Sequence, residues 1–249
     1  MSGEGVELQV LGCGDAMGSG GCLQSCFSMR RGERRVLVDF GVTGMIALRR
    51  YGIDPNEVET VLLTHLHGDH FGGLPFFLLD AKYVSRRHRP LHLAGPATTA
   101  ERLQTLRETL YPGSSAGSLG FDLDVVELVA GSRTEIDDLV VTPFEVIHES
   151  GAPAHGLRVE WGGRCVAFSG DTQWTDALVE LARGADLFVC EASSYEHPVP
   201  FHLDYETLLA NRSRLECGRL LLTHLGAEML SRRQELEIES AEDGLVLQL

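Results

Sequence analysis

An α/β domain built from two sheets with helices outside is the fold this sequence predicts, and three observations carry it. Strand-like and helix-like runs alternate along all 249 residues with no Pro/Ser linker and no break in composition, so a single domain over 1–249 is expected. Thr60 to Thr64 (TVLLT) is a fully apolar, β-rich run of the kind covered on both faces of a sheet. Leu157 to Trp161 and Arg164 to Ser169 are separated only by Gly162-Gly163, a hairpin turn signal, so the pattern is not doubly wound.

The elements follow in order. A strand over Val6 to Leu11 runs into the glycine-rich loop Gly12 to Gly21, and a second apolar segment, Val36 to Phe40, ends in Asp39-Phe40-Gly41. A helix over Gly44 to Tyr51 stops at Gly52 and Pro55. After TVLLT, Phe71 to Leu79 reads as a buried helix start, Leu91 to Leu93 as a strand, and Ala97 to Leu110 as an amphipathic helix. Tyr111 to Gly120 has the composition of a mobile loop. Leu139 to Ile147 precedes the two hairpin strands. Helix Thr175 to Ala182, strand Asp186 to Val189, helix Leu203 to Leu215, strand Leu220 to Leu222 and a last strand over Leu245 to Leu249 complete the order.

Charge narrows the function classes. With 36 acidic against 21 basic side chains the formal net charge is −15, and no basic tail or stripe compensates, which argues against a nucleic-acid binder that relies on charge. No run approaches the roughly 18 apolar residues of a membrane span. The start, MSGEGVELQV, lacks the basic and apolar regions of a signal peptide, so a cytoplasmic, unanchored protein is expected. The six cysteines form no CxxC pair and read as free buried thiols; Cys22 and Cys26 are close enough in sequence to suggest a metal pair, with packing the favoured reading.

Thr64-His65-Leu66-His67-Gly68-Asp69-His70 places three imidazoles and a carboxylate within residues 65–70, just past a buried strand. Packing asks for no such cluster. Histidine is the commonest ligand of zinc-like ions, and a strand-end loop with Gly68 can fold so that alternate side chains converge. His65-x-His67-x-Asp69-His70 resembles the signature of the metallo-β-lactamase superfamily, whose fold is a four-layer αββα sandwich. The family's other motifs follow in order: Asp39 in VDFG, His148 after the strand that starts at Leu139, Asp171 in SGDT and His224 in LLLTH. The resemblance covers nearly the whole chain.

It implies two divalent metal ions, one held by His65, His67 and His148, the other by Asp69, His70 and His224, with Asp171 bridging. Such ions lie about 3.5–4 Å apart and share a hydroxide that acts as nucleophile. Zinc is implied first, with manganese or iron as other options, since histidine and carboxylate serve all three. Asp39 would not touch metal but would accept hydrogen bonds that hold the histidine loop and fix its tautomers. No glutamate stands in place of His67, as it does in the flavodiiron relatives, so hydrolysis is implied rather than redox work.

Cys190-Glu191-Ala192-Ser193, then His202, then His224 resemble the HEAT and HST elements of the ribonuclease Z-like phosphodiesterases. Carried over, His202 becomes a general acid and Glu191 its orienting carboxylate, with Asp69 the remaining catalytic candidate. The plainer alternatives are that His202 begins a helix and Glu191 ends a strand in solvent. Departures matter as well. The long arm that grips transfer RNA is missing between His148 and Asp171, Cys190 replaces the histidine of HEAT, and Leu203-Asp204 replaces Ser-Thr. The resemblance therefore implies a small-molecule substrate, a small or cyclic phosphodiester as in PhnP-like relatives, with no tRNA and no membrane partner, and a homodimer.

Two other features enter as site candidates. Gly12 to Gly21 is read as a tight loop that can also present N–H groups to an anion, and Arg86, Arg87, His88 and Arg89 as a solvated loop that can also attract phosphate to the site. Two further function classes stay open. One is an acyl hydrolase of lactones, thioesters or β-lactams on the same metals, with Phe71 to Leu79 as an apolar wall; the other is a non-catalytic binding protein that inherited the fold.

Overall fold

Residues 5–249 are described by a computed structural model. Its first half forms strands β1 (Glu7–Gly12), β2 (Cys26–Arg31) and β3 (Arg34–Val38), helix α1 (Gly44–Arg50), strand β4 (Val58–Leu62), helices α2 (Gly68–Phe71) and α3 (Leu74–Tyr83), strand β5 (Leu91–Gly95), helix α4 (Thr99–Leu110) and strand β6 (Leu123–Glu127). The second half adds strands β7 (Thr134–Ile136), β8 (Leu139–Glu145), β9 (His155–Trp161) and β10 (Arg164–Phe168), and helix α5 (Ala177–Ala182). It ends with strand β11 (Ala185–Glu191), helix α6 (Tyr205–Asn211), strand β12 (Cys217–Thr223), helix α7 (Ala227–Ser231) and strand β13 (Val246–Gln248).

One sheet runs β13-β1-β2-β3-β4-β5-β6 and the other β12-β11-β10-β9-β8-β7. Period-two alternation puts Leu8, Val10, Phe27, Met29, Val36 and Val38 of the first sheet against Val141, Leu157, Val159, Val166 and Phe168 of the second. Phe27 and Phe168 meet across that seam with ring centroids 5.5 Å apart. The first sheet's outer face, through Leu37, Val61 and Leu63, buries Leu48, Phe77 and Leu103 of α1, α3 and α4. On the second sheet's outer face, Ala167, Phe188 and Leu222 cover Leu178, Leu208 and Met229 of α5, α6 and α7. The four layers are helix, sheet, sheet, helix, as the resemblance implied.

Several local readings need correction. Strand β2 escapes an apolar-run reading because Phe27 and Met29 face the core while Ser28 and Arg30 alternate with them. The helix expected from Phe71 is broken into α2 and α3 at Gly72-Gly73, where a Cβ on Gly73 would stand 2.2 Å from the Gly41 carbonyl. The helix expected from Leu203 starts only at Tyr205, because Asp204 caps it by accepting from Thr207 N–H at 2.8 Å; His202 and Leu203 lie outside the helix. The segment 111–120 forms no helix or strand, as its composition suggests, and its first half contacts α3 and α4: Glu108 accepts from Gly113 N–H and the Ser115 hydroxyl, and Tyr111 packs edge-on against Phe76.

What positions the site is strand direction. β3 and β4 run parallel in one sheet, and β10, β11 and β12 run parallel in the other, so the segments that leave their C-terminal ends collect at one edge of the sandwich. The sheets are stitched together there, His155 N–H donating to Thr64 O at 2.9 Å and His224 N–H to Cys13 O at 2.9 Å.

Candidate metal centre

Each strand end contributes. β4 feeds His65 and His67, α2 carries Asp69 and His70, and His148, Asp171 and His224 follow β8, β10 and β12. Asp39 and His224 leave their strands with φ of 58° and 57°, the left-handed region that short polar and imidazole side chains enter more readily than most. All seven residues that the resemblance names as ligands are brought together. His65, His67 and His148 offer ligand atoms within 4.8 Å of one another, and so do Asp69, His70, Asp171 and His224.

Asp171 stands between the groups. Its Oδ1 lies 3.3 Å from His70 Nε2, and its Oδ2 lies 3.4 Å from His224 Nε2, 3.7 Å from His65 Nε2 and 3.9 Å from His148 Nε2. Buried His65 Nε2 and His70 Nε2 have no hydrogen-bond partner, a costly state for ring nitrogens in a sealed site unless a cation takes the lone pair. His67 Nδ1 and His148 Nε2 face each other at 2.9 Å. Their outer nitrogens explain the orientation. His148 Nδ1 donates to Phe201 O at 2.9 Å and His70 Nδ1 to Asp39 Oδ2 at 2.7 Å, so each ring turns an Nε2 lone pair inward. The donor set fits divalent ions of the zinc type.

Asp39 does more than orient His70. Its carboxylate also accepts Thr64 N–H at 2.8 Å and the Thr64 hydroxyl, pinning the residue just before His65. Asp39→Ala is expected to weaken metal binding roughly 10–100-fold, the usual cost of losing such an outer partner, measured by competition with a chelating dye.

The electrostatics follow from this crowding. Burial alone would raise Asp171, but His224, His70 and His65 hold its carboxyl well below the usual range; Asp69 is likewise held low, mainly by His70. Burial and the neighbouring His70 push His65 down, whereas Asp171 and Asp39 overcome burial and lift His70.

A third element flanks the cluster. His202 Nδ1 lies 3.0 Å from Glu191 Oε2 and 3.9 Å from Asp171 Oδ2, and its ring stacks 5.5 Å from His224. Glu191 ends β11 fully buried, not in solvent, and its other oxygen accepts Thr172 N–H. His202 opens onto a cavity of about 420 Å³ walled by Asp15, Met17, Ser194, Val199 and Gly226 with His67, Asp69, Asp171 and His224 at its base, and Glu191 supports it from behind.

The two auxiliary candidates fare differently. The glycine-rich loop does flank this cavity, but several of its N–H groups are spent internally: Met17 and Ser19 donate to Asp15 Oδ1, Gly18 to Asp15 O and Gly21 to Gly18 O, so the Asp15 carboxylate occupies the place of an anion there. The Arg86 to Arg89 patch precedes β5, which runs parallel to β4, and therefore lies at the opposite end of the sheet from the metal cluster. Arg87 is buried there, donating to the carbonyls of Pro55, Arg89 and Pro90. Phe71 to Leu79 packs in the outer core, and none of it walls the cavity. Cys22 adjoins Cys13 and Asp243 instead of forming a ligand pair with Cys26. Sequence reasoning missed Arg102, which reaches from α4 to Leu66 O at 3.3 Å and braces the histidine loop; nothing local marks a contact made by folding.

The profile of a protein family described as Anti-Pycsar protein Apyc1 matches residues 6–244. The chain belongs to the Apyc1 family. An uncharacterized protein of Mycobacterium tuberculosis is 34% identical to this Apyc1-family chain over 226 residues, covering 88% of it and 81% of the relative. The ribonuclease Z of Mycobacterium avium is 28% identical over 251 residues, covering 92% and 89%. The metallo-β-lactamase-fold protein YhfI from Bacillus subtilis superposes with a TM-score of 0.79 at 20% identity, covering 99% of this chain and all of that one. The Apyc1-family chain thus has the metallo-β-lactamase fold and is similar in sequence to ribonuclease Z.

Proposed function

We propose that this protein is a binuclear metal-dependent phosphodiesterase acting on a small or cyclic phosphodiester. The observation that carries the reading is the His202–Glu191 pair beside the seven-residue cluster, because a phosphodiester needs a proton delivered to its leaving oxygen. His65, His67 and His148 would hold one ion and Asp69, His70 and His224 the other, with Asp171 shared. When bound, the ions supply a water-derived nucleophile at neutral pH and Lewis-acid stabilisation of the charge that develops at phosphorus.

The protein's own groups do the rest. Glu191 fixes His202 through Nδ1, which leaves Nε2–H to protonate the departing oxygen. Met17 and Val199, both well exposed at the rim, give the non-reacting part of the substrate an apolar wall, and Asp15 and Ser194 offer polar contacts. A cavity of about 420 Å³ suits a small molecule. The β8 to β9 connection, Val146 to Ala154, has no room for an RNA-gripping arm, and the −15 net charge disfavours a polyanion. The ribonuclease Z relative is named for phosphodiester chemistry, which supports phosphorus over acyl carbon.

Zinc- or manganese-loaded protein is expected to hydrolyse bis(p-nitrophenyl) phosphate, and to do so faster than it opens lactones or cleaves thioesters. A reversed order of rates would move the reading to the acyl hydrolases.

A further inference from the structure

Cys13 and Cys22 lie across the neck of the glycine-rich loop, and nothing in the hydrolytic reading uses them. The two chain segments run side by side there. Gly14 N–H donates to Leu23 O at 2.7 Å, and a Cβ on Gly14 would stand 2.8 Å from Cys22 Cβ. The sulfurs of Cys13 and Cys22 and a carboxylate oxygen of Asp243 all fall within 4.8 Å of one another. Cys13 is buried, its thiol 3.3 Å from Asp243 Oδ1, whereas Cys22 is half-buried and reachable from solvent. Asp243 also accepts Cys13 N–H at 3.0 Å and Leu23 N–H at 2.8 Å, clamping the two segments at fixed spacing.

The neck is wired to the candidate metal centre. Cys13 O accepts His224 N–H at 2.9 Å, the backbone contact beside the left-handed turn that aims His224 at Asp171. Beyond the neck, Asp15, Ala16 and Met17 wall the cavity.

We propose that Cys13 and Cys22 form an oxidisable dithiol which closes to a disulfide across the loop neck and weakens the hold of His224 on metal. The oxidant is a hydroperoxide. Cys22 sulfur attacks the peroxide O–O bond, giving a sulfenic acid and releasing the alcohol. Cys13 sulfur then attacks that sulfur, Asp243 takes the Cys13 thiol proton and passes it to the leaving hydroxyl group, which departs as water; two thiols lose two electrons and two protons, and the peroxide gains them. Closure brings the sulfurs to about 2.05 Å, which draws Cys13 toward Cys22 and its carbonyl away from His224. The disulfide itself stands on the loop geometry; only its effect on metal rests on the metal-centre part of the proposed function.

The test treats folded, zinc-loaded protein with cumene hydroperoxide, blocks the remaining thiols by alkylation, and digests with an endoprotease that cuts before aspartate. Cleavage before Asp15 and Asp39 puts Cys13 on one peptide and Cys22 with Cys26 on the next, so a disulfide appears as two linked peptides, and fragment ions between Cys22 and Cys26 place it on Cys22. We expect that linked pair in wild type, its loss on dithiothreitol treatment, and its absence in Cys22→Ser. We also expect oxidised wild type to bind zinc on the order of tenfold more weakly than reduced protein by chelator competition, with Cys22→Ser unaffected by peroxide. Both thiols alkylated after peroxide, or sulfinic acids without a link, would overturn the proposal, and so would a linked pair with unchanged zinc affinity. Reduced protein that takes up no divalent ion would instead defeat the metal-centre reading while leaving the mapped disulfide in place.

Discussion

Asp171→Ala is expected to strip the protein of metal and lower phosphodiester turnover by on the order of 10³-fold or more, several kcal/mol of transition-state stabilisation. Among the described residues, Asp171 is the one whose carboxylate lies within 4 Å of ring nitrogens from both groups, His65 and His148 on one side, His70 and His224 on the other. Removing it takes a ligand from each candidate site at once. Asp171→Asn keeps the shape and removes the charge, so a similar loss is expected; metal content by mass spectrometry and turnover of bis(p-nitrophenyl) phosphate check both variants. Full metal content in either variant would end the bridging assignment. The same carboxylate has a consequence for the metal-free protein. Its pKa is depressed below 3.8 on folding, so it contributes stability above that value that is lost as pH falls through the depressed one. Metal-free Asp171→Ala should therefore lose part of the wild type's drop in melting temperature on acidification below pH 4.

Much of this centre is legible in the sequence because its chemistry conflicts with packing. Residues 65–70 cannot be explained as core or turn, and Asp39, His148, Asp171 and His224 each stand just past an apolar run, where a sheet delivers side chains to one edge. What stays hidden is set by register and by contacts between distant segments. Strand β2 looks half polar because Ser28 and Arg30 share it with Phe27 and Met29. The proximity of Cys13 to Cys22 and Asp243 joins residues more than 200 positions apart. The Arg86 to Arg89 patch is instructive: read first as a solvated loop and second as a phosphate attractor, it precedes a strand parallel to the one that feeds the histidines, which puts it at the far edge. A parallel β4–β5 pair, had it been assumed, would have predicted that placement.

His202→Ala is expected to lower kcat for a phosphodiester by roughly 10²–10⁴-fold while leaving metal content unchanged, the signature of a lost proton donor rather than a lost ligand. The contrast with Asp171 is built into the geometry. His202 is 3.9 Å from Asp171 and within reach of His148 and Asp171 as a third cluster, but it lies outside the two implied ligand sets, 19% exposed, with Nδ1 committed to Glu191. Glu191 is what makes it an acid. Burial alone would lower His202, but the hydrogen bond and charge of Glu191 outweigh burial and lift the imidazole to about 9. Burial pushes Glu191 up as well, so the pair keeps one proton through neutral pH; the Thr172 N–H at Glu191 favours the carboxylate and puts that proton on His202. A raised folded value means that the pair's stabilisation is complete below 6.5 and fades as pH rises through about 9, and the acid activity fades over the same limb. In Glu191→Gln the hydrogen bond and charge of Glu191 are gone and only the more distant Asp171 still opposes burial, so the alkaline limb of the kcat profile should move down from about 9 toward 6.5, with rates near wild type recovered only on the acid side. An unchanged limb in Glu191→Gln, or metal loss in His202→Ala, would reassign His202 from proton donor to structural support of the centre.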